Sequence, residues 1–223
     1  MKITWLGQAG LLFKTDSAKI MIDPYLSNSV ERINPANYRR VPVDESFFHV
    51  NPDLLILTHN HLDHYDPETV ERILSQGQIT VLAPKSVWKE VRRFGGKHNY
   101  VQFDRLTEWS ECGVRLTAVK AVHSDDDAIG VVLDDGEKKY YVSGDTLYNS
   151  SIFADLPNDL YAVFLPINGV GNNMNMLDAA RFAKKVGAEK VVPLHFGMFD
   201  ELNPSHFLCE NKVILEIYRE IEL

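Results

Sequence analysis

The sequence predicts an α/β protein in which two β-sheets face each other and helices cover their outer surfaces. Two observations predict this architecture. Short apolar runs separated by turn residues occur in both halves of the chain, and in each half segments with helical spacing follow them. No linker-like or low-complexity segment divides the halves. Because each half has an apolar sheet face to bury, the sheets should pack together, and we expect a single domain over residues 1–223.

The first half begins with short strands and continues through a long segment without a hydrophobic period. Pro24 ends the third strand, because proline lacks the backbone donor that a sheet needs. Residues 25–51 show no period, which is typical of a functional loop or lid. Asp66 and Pro67 supply the cap and the first residue of a helix. The expected elements are strands at 3–6, 11–13, 20–22, 54–57 and 79–83 and helices at 67–75 and 85–94.

The second half again places strands before helices. Its strands are apolar runs of four to nine residues, and Asp134-Asp135-Gly136 is a hairpin turn between two of them. Helical spacing of apolar residues predicts one helix before the last strand and another near the C-terminus. The expected elements are strands at 114–122, 128–133, 139–142, 160–165 and 190–194 and helices at 176–186 and 212–221.

Composition argues against several classes of partner and compartment. The chain carries a net charge of -8, which disfavours non-specific binding to nucleic acid or to an anionic membrane. Its two cysteines, Cys112 and Cys209, form neither a close metal-binding pair nor a disulfide framework. No apolar run approaches the length of a membrane span, and the first residues lack a secretory signal. We therefore expect a cytoplasmic protein that binds neither nucleic acid nor membrane.

Four potential metal ligands fall within six residues directly after a buried strand. The pattern HxHxDH places His59, His61, Asp63 and His64 just beyond the apolar run at 54–57, at the strand end where α/β folds carry their sites. Alternate residues of an extended turn point the same way, so one ion can lie between the first two histidines and a second beside the Asp-His pair. Imidazole and carboxylate ligands suit zinc, manganese and iron, and the absence of thiolate argues against a structural zinc site.

Three further candidates stand in the same position relative to their own strands. His123, Asp145 and His195 each follow an apolar run directly, as His59 does. One such residue alone is more often a hydrogen-bonded core or surface side chain. Three of them after an HxHxDH pattern indicate that they join the same metal site.

Four residues are candidates for contact with a substrate. Arg39 and Arg40 could clamp a phosphate or a carboxylate, with ordinary surface arginines as the competing interpretation. Asn168 begins a turn rich in glycine and asparagine that could offer amide donors, and a plain turn is the alternative. His206 could approach the pocket from the C-terminal region.

These motifs resemble the metallo-β-lactamase superfamily, whose ligand order is HxHxDH, a histidine, an aspartate and a late histidine. Within it, the chain is similar to the group that includes L-ascorbate-6-phosphate lactonase. The shared segments are WLGQ at 5–8, IDP at 22–24, PING at 166–169 and VPLHF at 192–196. The resemblance covers nearly the whole chain and implies a four-layer αββα sandwich.

The resemblance also implies how the ligands are divided. It assigns them to two divalent ions that share Asp145: His59, His61 and His123 to one ion, and Asp63, His64 and His195 to the other. It implies that Asp23 supports the ligand loop through hydrogen bonds. Members that cleave β-lactams carry a cysteine at the position of Asp145, so β-lactam cleavage is disfavoured.

The resulting hypothesis is a metal-dependent hydrolase of lactonase or phosphodiesterase type. A hydroxide shared by the two ions would attack a carbonyl or phosphorus centre, with Asp63 and Asp145 as the catalytic carboxylates and Asp63 moving the proton. Zinc or manganese is the expected metal, with iron as the alternative. The expected substrate is small and anionic, with a phosphorylated sugar lactone as the first candidate.

Three other functions remain open from the sequence. One is a phosphodiesterase acting on a nucleotide or a phospholipid. A second is an oxidoreductase with two iron ions in the same ligand set, although no flavin-binding domain accompanies it here. A third is a metal sensor or scaffold without catalysis. The resemblance to the lactonase group also suggests a homo-oligomer.

Overall fold

The computed structural model describes residues 1–223, which form thirteen β-strands and four α-helices. The strands are β1 (Lys2–Gly7), β2 (Gly10–Lys14), β3 (Lys19–Ile22), β4 (Leu54–Ile56), β5 (Thr80–Ala83), β6 (Asn99–Gln102), β7 (Glu108–Glu111), β8 (Val114–Lys120), β9 (Ile129–Asp134), β10 (Lys139–Val142), β11 (Leu160–Pro166), β12 (Lys190–Leu194) and β13 (Glu220–Glu222). The α-helices are α1 (Ser29–Ile33), α2 (Pro67–Leu74), α3 (Lys85–Val91) and α4 (Met176–Val186). Short 3-10 helices cover Glu45–His49, Arg92–Phe94, Ser150–Ala154 and Pro204–His206.

The strands form two mixed sheets. The first sheet has the order β13-β1-β2-β3-β4-β5-β6, and the second has the order β12-β11-β10-β9-β8-β7. In the first sheet β3, β4, β5 and β6 run parallel. In the second sheet β10, β11 and β12 run parallel, whereas β7 to β10 are joined antiparallel. The α/β two-sheet architecture expected from the sequence is confirmed.

The main core lies between the two sheets, and the pleat of the strands explains its composition. Successive side chains of a strand point to opposite faces, so each buried strand supplies two apolar layers. In β2, Leu11 and Phe13 belong to the inter-sheet core, whereas Leu12 belongs to a separate outer cluster. The second sheet completes the inner layer with side chains such as Leu116 and Phe164.

Helices cover both outer faces, which gives four layers. Val70 and Ile73 of α2 pack with the outward-facing side chains of the first sheet. Phe182 of α4 packs with those of the second sheet. Helix α2 begins as the sequence predicts, since the Asp66 side chain accepts a hydrogen bond of 3.1 Å from the backbone N–H of Thr69. This arrangement is the αββα sandwich.

The expected helix at 212–221 is wrong. The chain there is extended, forming isolated β-bridges between Val191 and Lys212 and between Trp5 and Ile217, and it ends in β13 on the first sheet. The apolar residues that suggested helical spacing also alternate with period two. Leu215 is buried in the inter-sheet core, and neighbouring apolar side chains on the same face pack against it. The packing of this alternating face against both sheets outweighs the local helix preference.

Two strands and one short helix lie where the sequence has no clear pattern. Strands β6 and β7 are edge or near-edge strands with half-exposed, mostly polar residues, so they lack an apolar signal. The irregular segment 25–51 contains α1 and the 3-10 helix Glu45–His49, and the rest of it is loop. No helix of the structure has both the length and the apolar character that crossing a membrane requires.

Candidate metal centre

The loop that carries HxHxDH is a compact turn between β4 and α2. The backbone N–H groups of His64 and Tyr65 both donate to the carbonyl oxygen of His61, at 3.0 and 2.8 Å, which closes the turn. The carboxylate of Asp23, at the end of β3, fixes the start of the loop. It accepts the backbone N–H of Thr58 at 2.8 Å and the Thr58 hydroxyl at 2.5 Å. The loop is therefore held by both neighbouring strands before any ion binds.

The same carboxylate orients one of the loop histidines. The Nδ1 atom of His64 lies 2.8 Å from Asp23 Oδ2, and both side chains are buried. Since a carboxylate accepts this hydrogen bond, the proton of the neutral ring is on Nδ1 and Nε2 is free to bind a cation. This geometry has the form of the supporting role that the resemblance implies for Asp23.

The remaining candidates come from the ends of strands in the second sheet. His123 follows β8, Asp145 follows β10, and His195 follows β12. A Cβ atom at Gly144 would lie 3.0 Å from side-chain atoms of Thr58, so the glycine before Asp145 allows the two loops to approach closely. Ends of strands from both sheets thus meet at one edge of the sandwich.

The structure brings all seven predicted ligands together in two adjacent groups. In the first group, the ligand atoms of His59, His61, His123 and Asp145 all lie within 4.8 Å of one another. In the second, those of Asp63, His64 and His195 meet the same limit. Within the first group, His61 Nδ1 and His123 Nε2 are 3.1 Å apart. The grouping is the one that the superfamily resemblance implies.

Asp145 lies between the two groups. Its Oδ1 atom is 3.1 Å from His64 Nε2, and its Oδ2 atom is 3.1 Å from His195 Nε2. The same Oδ2 atom is 3.9 Å from His59 Nε2 in the other group. One carboxylate therefore faces imidazoles of both groups, as a ligand shared by two ions would.

Polar atoms without partners indicate that the centre is built for cations. Among the buried side-chain atoms that form no hydrogen bond are His59 Nε2, His64 Nε2 and Asp145 Oδ1; the last two lie 3.1 Å apart but do not meet hydrogen-bond geometry. Leaving such atoms unpaired in the interior is costly, so native proteins almost always supply a partner. All three atoms face the shared centre, and a divalent cation with nitrogen and oxygen ligands satisfies them together.

Burial and nearby charge set the pKa values of the histidines in opposite directions. Burial lowers the pKa of His59 and of His123. Burial also acts to lower the pKa of His64 and His195, but the carboxylates of Asp145 and Asp63 outweigh it. As a result the pKa of His64 lies well above its usual value, and that of His195 is raised to about 9. The second group of the metal-free protein therefore holds protons that a cation would displace.

The two carboxylates at the centre remain ionised. Burial alone raises the pKa of Asp63 and of Asp145, but the positive charges of His64 and His195 outweigh burial and hold both pKa values below the usual range. Both groups are thus in the charged form that a metal ligand needs at neutral pH.

Two amide side chains at the centre were not identified from the sequence. Gln8, after β1, donates from Nε2 to Asp63 Oδ2 at 2.9 Å and lies 3.1 Å from His195 Nε2. Asn173 donates from Nδ2 to Asp145 Oδ2 at 2.8 Å. Gln8 follows an apolar strand directly, which is the signal that identified the ligands, but the sequence does not show that this strand end faces the same edge. Asn173 lies in the glycine- and asparagine-rich turn that begins at Asn168, for which the sequence indicates amide donors to a substrate but no contact with Asp145.

The predicted substrate-binding residues fall into two classes. The Asn168 amide reaches the centre, with Nδ2 at 3.0 Å from His195 Nδ1. Arg39 donates to the carbonyl oxygens of Tyr25 and Leu6 and to a tyrosine hydroxyl, and Arg40 pairs with Glu201 at 2.9 Å. Neither arginine contacts a ligand residue.

His206 is not brought to the centre. It ends the 3-10 helix Pro204–His206, where its side chain is exposed and forms neither a hydrogen bond nor a ring contact with the ligand residues. The proline and the asparagine cap that precede it fix this short helix at the surface.

Comparison with known families identifies the chain. A family model described as a β-lactamase superfamily domain matches residues 18–196, which include all seven candidate ligands. The chain belongs to this superfamily. A UPF0173 metal-dependent hydrolase of Ligilactobacillus salivarius is 30% identical over 89% of this chain and 86% of its own length. A UPF0173 protein of Pyrococcus furiosus is 27% identical over 94% of this chain and 90% of its own.

Solved structures share the fold at lower sequence identity. A metallo hydrolase of Ignicoccus hospitalis, Igni18, matches with a TM-score of 0.80 and 20% identity, over 99% of this chain and 97% of its own. CmlA, a diiron β-hydroxylase of Streptomyces venezuelae, matches with a TM-score of 0.76 and 18% identity, over 100% of this chain and 54% of its own.

The comparisons establish the family but not the finer assignment. The superfamily and its fold, predicted from the ligand order, are confirmed, and the chain is a metal-dependent hydrolase of the UPF0173 family. The similarity to the ascorbate-6-phosphate lactonase group is not confirmed, because the relatives carry the UPF0173 designation.

Proposed function

We propose that the chain hydrolyses a small anionic ester or lactone at a centre of two divalent ions. The observation that carries the proposal is the position of Asp145 between the two groups of ligands. Its two oxygens lie 3.1 Å from His64 Nε2 and from His195 Nε2, and Oδ2 also faces His59 at 3.9 Å. A carboxylate shared in this way suits paired ions, which hydrolases use to activate water and stabilise a developing negative charge.

The donor set favours zinc or manganese. Every candidate ligand offers imidazole nitrogen or carboxylate oxygen, and neither cysteine belongs to the groups. Mixed nitrogen and oxygen ligands suit zinc, manganese and iron, whereas magnesium and calcium prefer oxygen alone. Bound ions would supply Lewis acidity and make water a nucleophile near neutral pH.

The side chains at the centre have distinct tasks in such a reaction. Asp63 stays ionised, so it can orient the attacking water and accept its proton, and Gln8 holds Asp63 in place by donating at 2.9 Å. Asn173 holds Asp145 through its own hydrogen bond of 2.8 Å. Hydrolysis adds the water oxygen to the acyl carbon, and the proton taken from water passes to the leaving oxygen. Asp63 can carry that proton between the two.

The neutral amides around the centre favour an acyl substrate. The side chains that contact the candidate ligands include the amides of Gln8, Asn168 and Asn173, and no lysine or arginine pairs with Asp63 or Asp145. Amide N–H groups suit the single negative oxygen that develops when water attacks a carbonyl group. Phosphoryl transfer more often relies on cationic clamps. A phosphorylated sugar lactone, which the resemblance suggests, is therefore tested beside carboxylate-bearing esters and lactones.

Metal removal and a substrate panel test the proposal. The protein is treated with chelator, reloaded with manganese, zinc or iron, and assayed on lactones, phosphodiesters and thioesters. We expect hydrolysis that disappears on chelation, returns on reloading and is fastest on lactones or other esters. Cys112→Ser serves as the matched control, since Cys112 lies in the β7–β8 turn away from the ligands, and it should keep wild-type activity.

Other outcomes of the same experiment point to the alternatives. A preference for phosphodiesters would replace the acyl substrate by a nucleotide or a phospholipid. Iron in the purified protein with a visible absorption band would favour oxidation chemistry over hydrolysis. Activity that survives complete metal removal would contradict the proposed function.

A further inference from the structure

A cavity of about 270 Å³ is lined in part by Gln8, whose side chain also contacts Asp63 and His195 of the metal centre. Most of its wall is apolar and includes Trp5, Phe196 and Leu202. Its polar wall comes from Gln8, Arg39 and Arg40. The volume is at the small end of the range for ligand sites, so it suits part of a small molecule.

Gln8 presents an unpartnered acceptor at this wall. Its Nε2 atom donates to Asp63, which is ionised and can only accept, and Oε1 is the remaining polar atom of the amide. Gln8 is 4% exposed, and Oε1 has no hydrogen-bond partner. Its backbone adopts a φ of 51°, a conformation that is uncommon for residues other than glycine. Native proteins almost always supply such an acceptor with a donor, and a ligand in the cavity is one source of it.

The two arginines of the wall present unpartnered donors. The Nε atoms of Arg39 and Arg40 are both buried without a hydrogen-bond partner. The guanidinium of Arg39 contacts only neutral groups, namely two carbonyl oxygens and the hydroxyl of Tyr218 at 2.7 Å, and it forms no ion pair. Arg40 pairs with Glu201, whose side chain is 86% exposed. The wall therefore carries positive charge that no buried carboxylate balances.

We propose that this cavity binds the apolar, carboxylate-bearing part of the substrate. The carboxylate would accept from the guanidinium groups of Arg39 and Arg40, a hydroxyl or amide N–H would reach Gln8, and the apolar body would fill the space between Trp5 and Leu202. A carboxylate suits the wall better than a phosphate, because a dianion loses more hydration in an apolar cavity. The role in substrate binding rests on the proposed function, whereas the binding itself does not.

A series of three matched probes tests the proposal by calorimetry. 3-Phenyllactate carries an aromatic body, a carboxylate and a hydroxyl, 3-phenylpropanoate lacks the hydroxyl, and 3-phenyllactamide lacks the charge. Each is titrated into the protein as purified and after chelation. We expect 3-phenyllactate to bind in both states, and each of the other two to bind at least about tenfold more weakly.

Variants assign the binding to the cavity. Leu202→Trp fills the space and should weaken binding at least about tenfold, and Arg40→Gln should weaken the carboxylate probes while leaving the amide unchanged. Leu208→Trp is the control, since Leu208 is 85% exposed and does not line the cavity. If Leu202→Trp does not fold, as judged by circular dichroism, Val41→Phe at the cavity mouth replaces it.

Three results would overturn the proposal. The first is that 3-phenyllactate no longer binds after chelation, which would mean that it binds the ions. The second is that Leu202→Trp leaves its affinity unchanged. The third is that inorganic phosphate binds as tightly as 3-phenyllactate. If the proposed function is wrong, metal-dependent turnover is absent. The binding of the probes to the cavity can still be measured in that case. Where turnover exists, Leu202→Trp should raise KM for a carboxylate-bearing ester and leave kcat nearly unchanged.

Discussion

At the scale of single residues, Asp23 shows how a side chain outside the ligand set prepares the centre. Its carboxylate accepts the Thr58 backbone N–H and hydroxyl and lies 2.8 Å from His64 Nδ1. These contacts fix both the loop and the ring nitrogen that faces the ions. The φ of Asp23 is 45°, so the residue adopts an uncommon backbone conformation to reach them.

Replacing Asp23 by asparagine should weaken metal binding without removing a ligand. The amide can accept only through its oxygen, so at least one of the three contacts is lost and either the loop or His64 is less firmly oriented. We expect metal affinity to fall by about 10-fold to 100-fold, as for other residues that orient ligating histidines. Competition with a chromogenic chelator measures the change. Asp16→Asn, at an exposed turn, is the control, and an equal loss in both variants would contradict the role of Asp23.

The raised pKa of His195 predicts a pH dependence of metal binding. In the metal-free protein the ring holds its proton up to a pH of about 9, because Asp145 and Asp63 outweigh the effect of burial. A metal ligand must be the neutral imidazole, so below this pH the cation displaces a proton. Metal affinity should therefore fall as the pH falls from 9 to 7, by about tenfold per pH unit for each proton displaced.

Calorimetry in buffers of different ionisation enthalpy counts the protons released. The pKa of His64 is also raised, so release of more than one proton near pH 7 is expected. Metal binding at pH 7 without proton release would show that His195 and His64 are not the groups displaced.

The ligands could be predicted from residue type and position, but the residues that hydrogen-bond to them, Gln8 and Asn173, could not. All seven ligand candidates are histidines or aspartates directly after apolar strands or in the HxHxDH turn, and the structure brings all of them together. Gln8 and Asn173 contribute through contacts with Asp63 and Asp145, across 55 and 28 residues of sequence. Such supports depend on which loops meet in space, and a local pattern does not contain that information.

At the scale of secondary structure, the end of α4 offers a test of local conformation. Gly187 follows the helix with φ of 71° and ψ of 26°, and a Cβ atom there would meet no other atom within 4 Å. Replacement by alanine should therefore cost only the left-handed backbone penalty, about 1 kcal/mol of unfolding free energy. Urea denaturation measures it. Gly187→Asn should lose less, because asparagine tolerates this conformation, and equal losses would contradict the interpretation.

The C-terminal segment explains why one element could not be predicted. Residues 212–221 have apolar side chains that fit helical spacing and alternation equally well over so short a range. In the structure the segment is extended and not helical, because Leu215 and its neighbours cover the edge of the inter-sheet core and β13 pairs with β1. The partner strand is more than 200 residues away in sequence, so only the folded arrangement decides the outcome.

At the scale of the whole molecule, the candidate centre joins the two sheets. The HxHxDH loop extends from the first sheet, whereas His123, Asp145 and His195 extend from the second. Ions held by both sets would cross-link the halves of the sandwich. Metal binding should therefore stabilise the entire fold and not a single loop.

Thermal unfolding measures this stabilisation. A cation that binds only the folded state at 100 times its Kd adds about 2.7 kcal/mol, which for a protein of this size raises Tm by about 5–10 °C. We expect this increase for zinc or manganese and a much smaller one for magnesium, which prefers oxygen ligands. Identical melting curves before and after chelation would mean that the ions do not connect the sheets.

The most direct test of the account is the number of metal ions bound per chain. Elemental analysis of the protein after saturation with zinc or manganese and removal of free metal gives this number, for the wild type and for Asp145→Ala. Because Asp145 faces both ligand groups, we predict two ions per chain in the wild type and at least one fewer in the variant, with most of the activity lost. A wild-type chain that binds no metal, or a variant that still holds two ions, would contradict a shared two-ion centre.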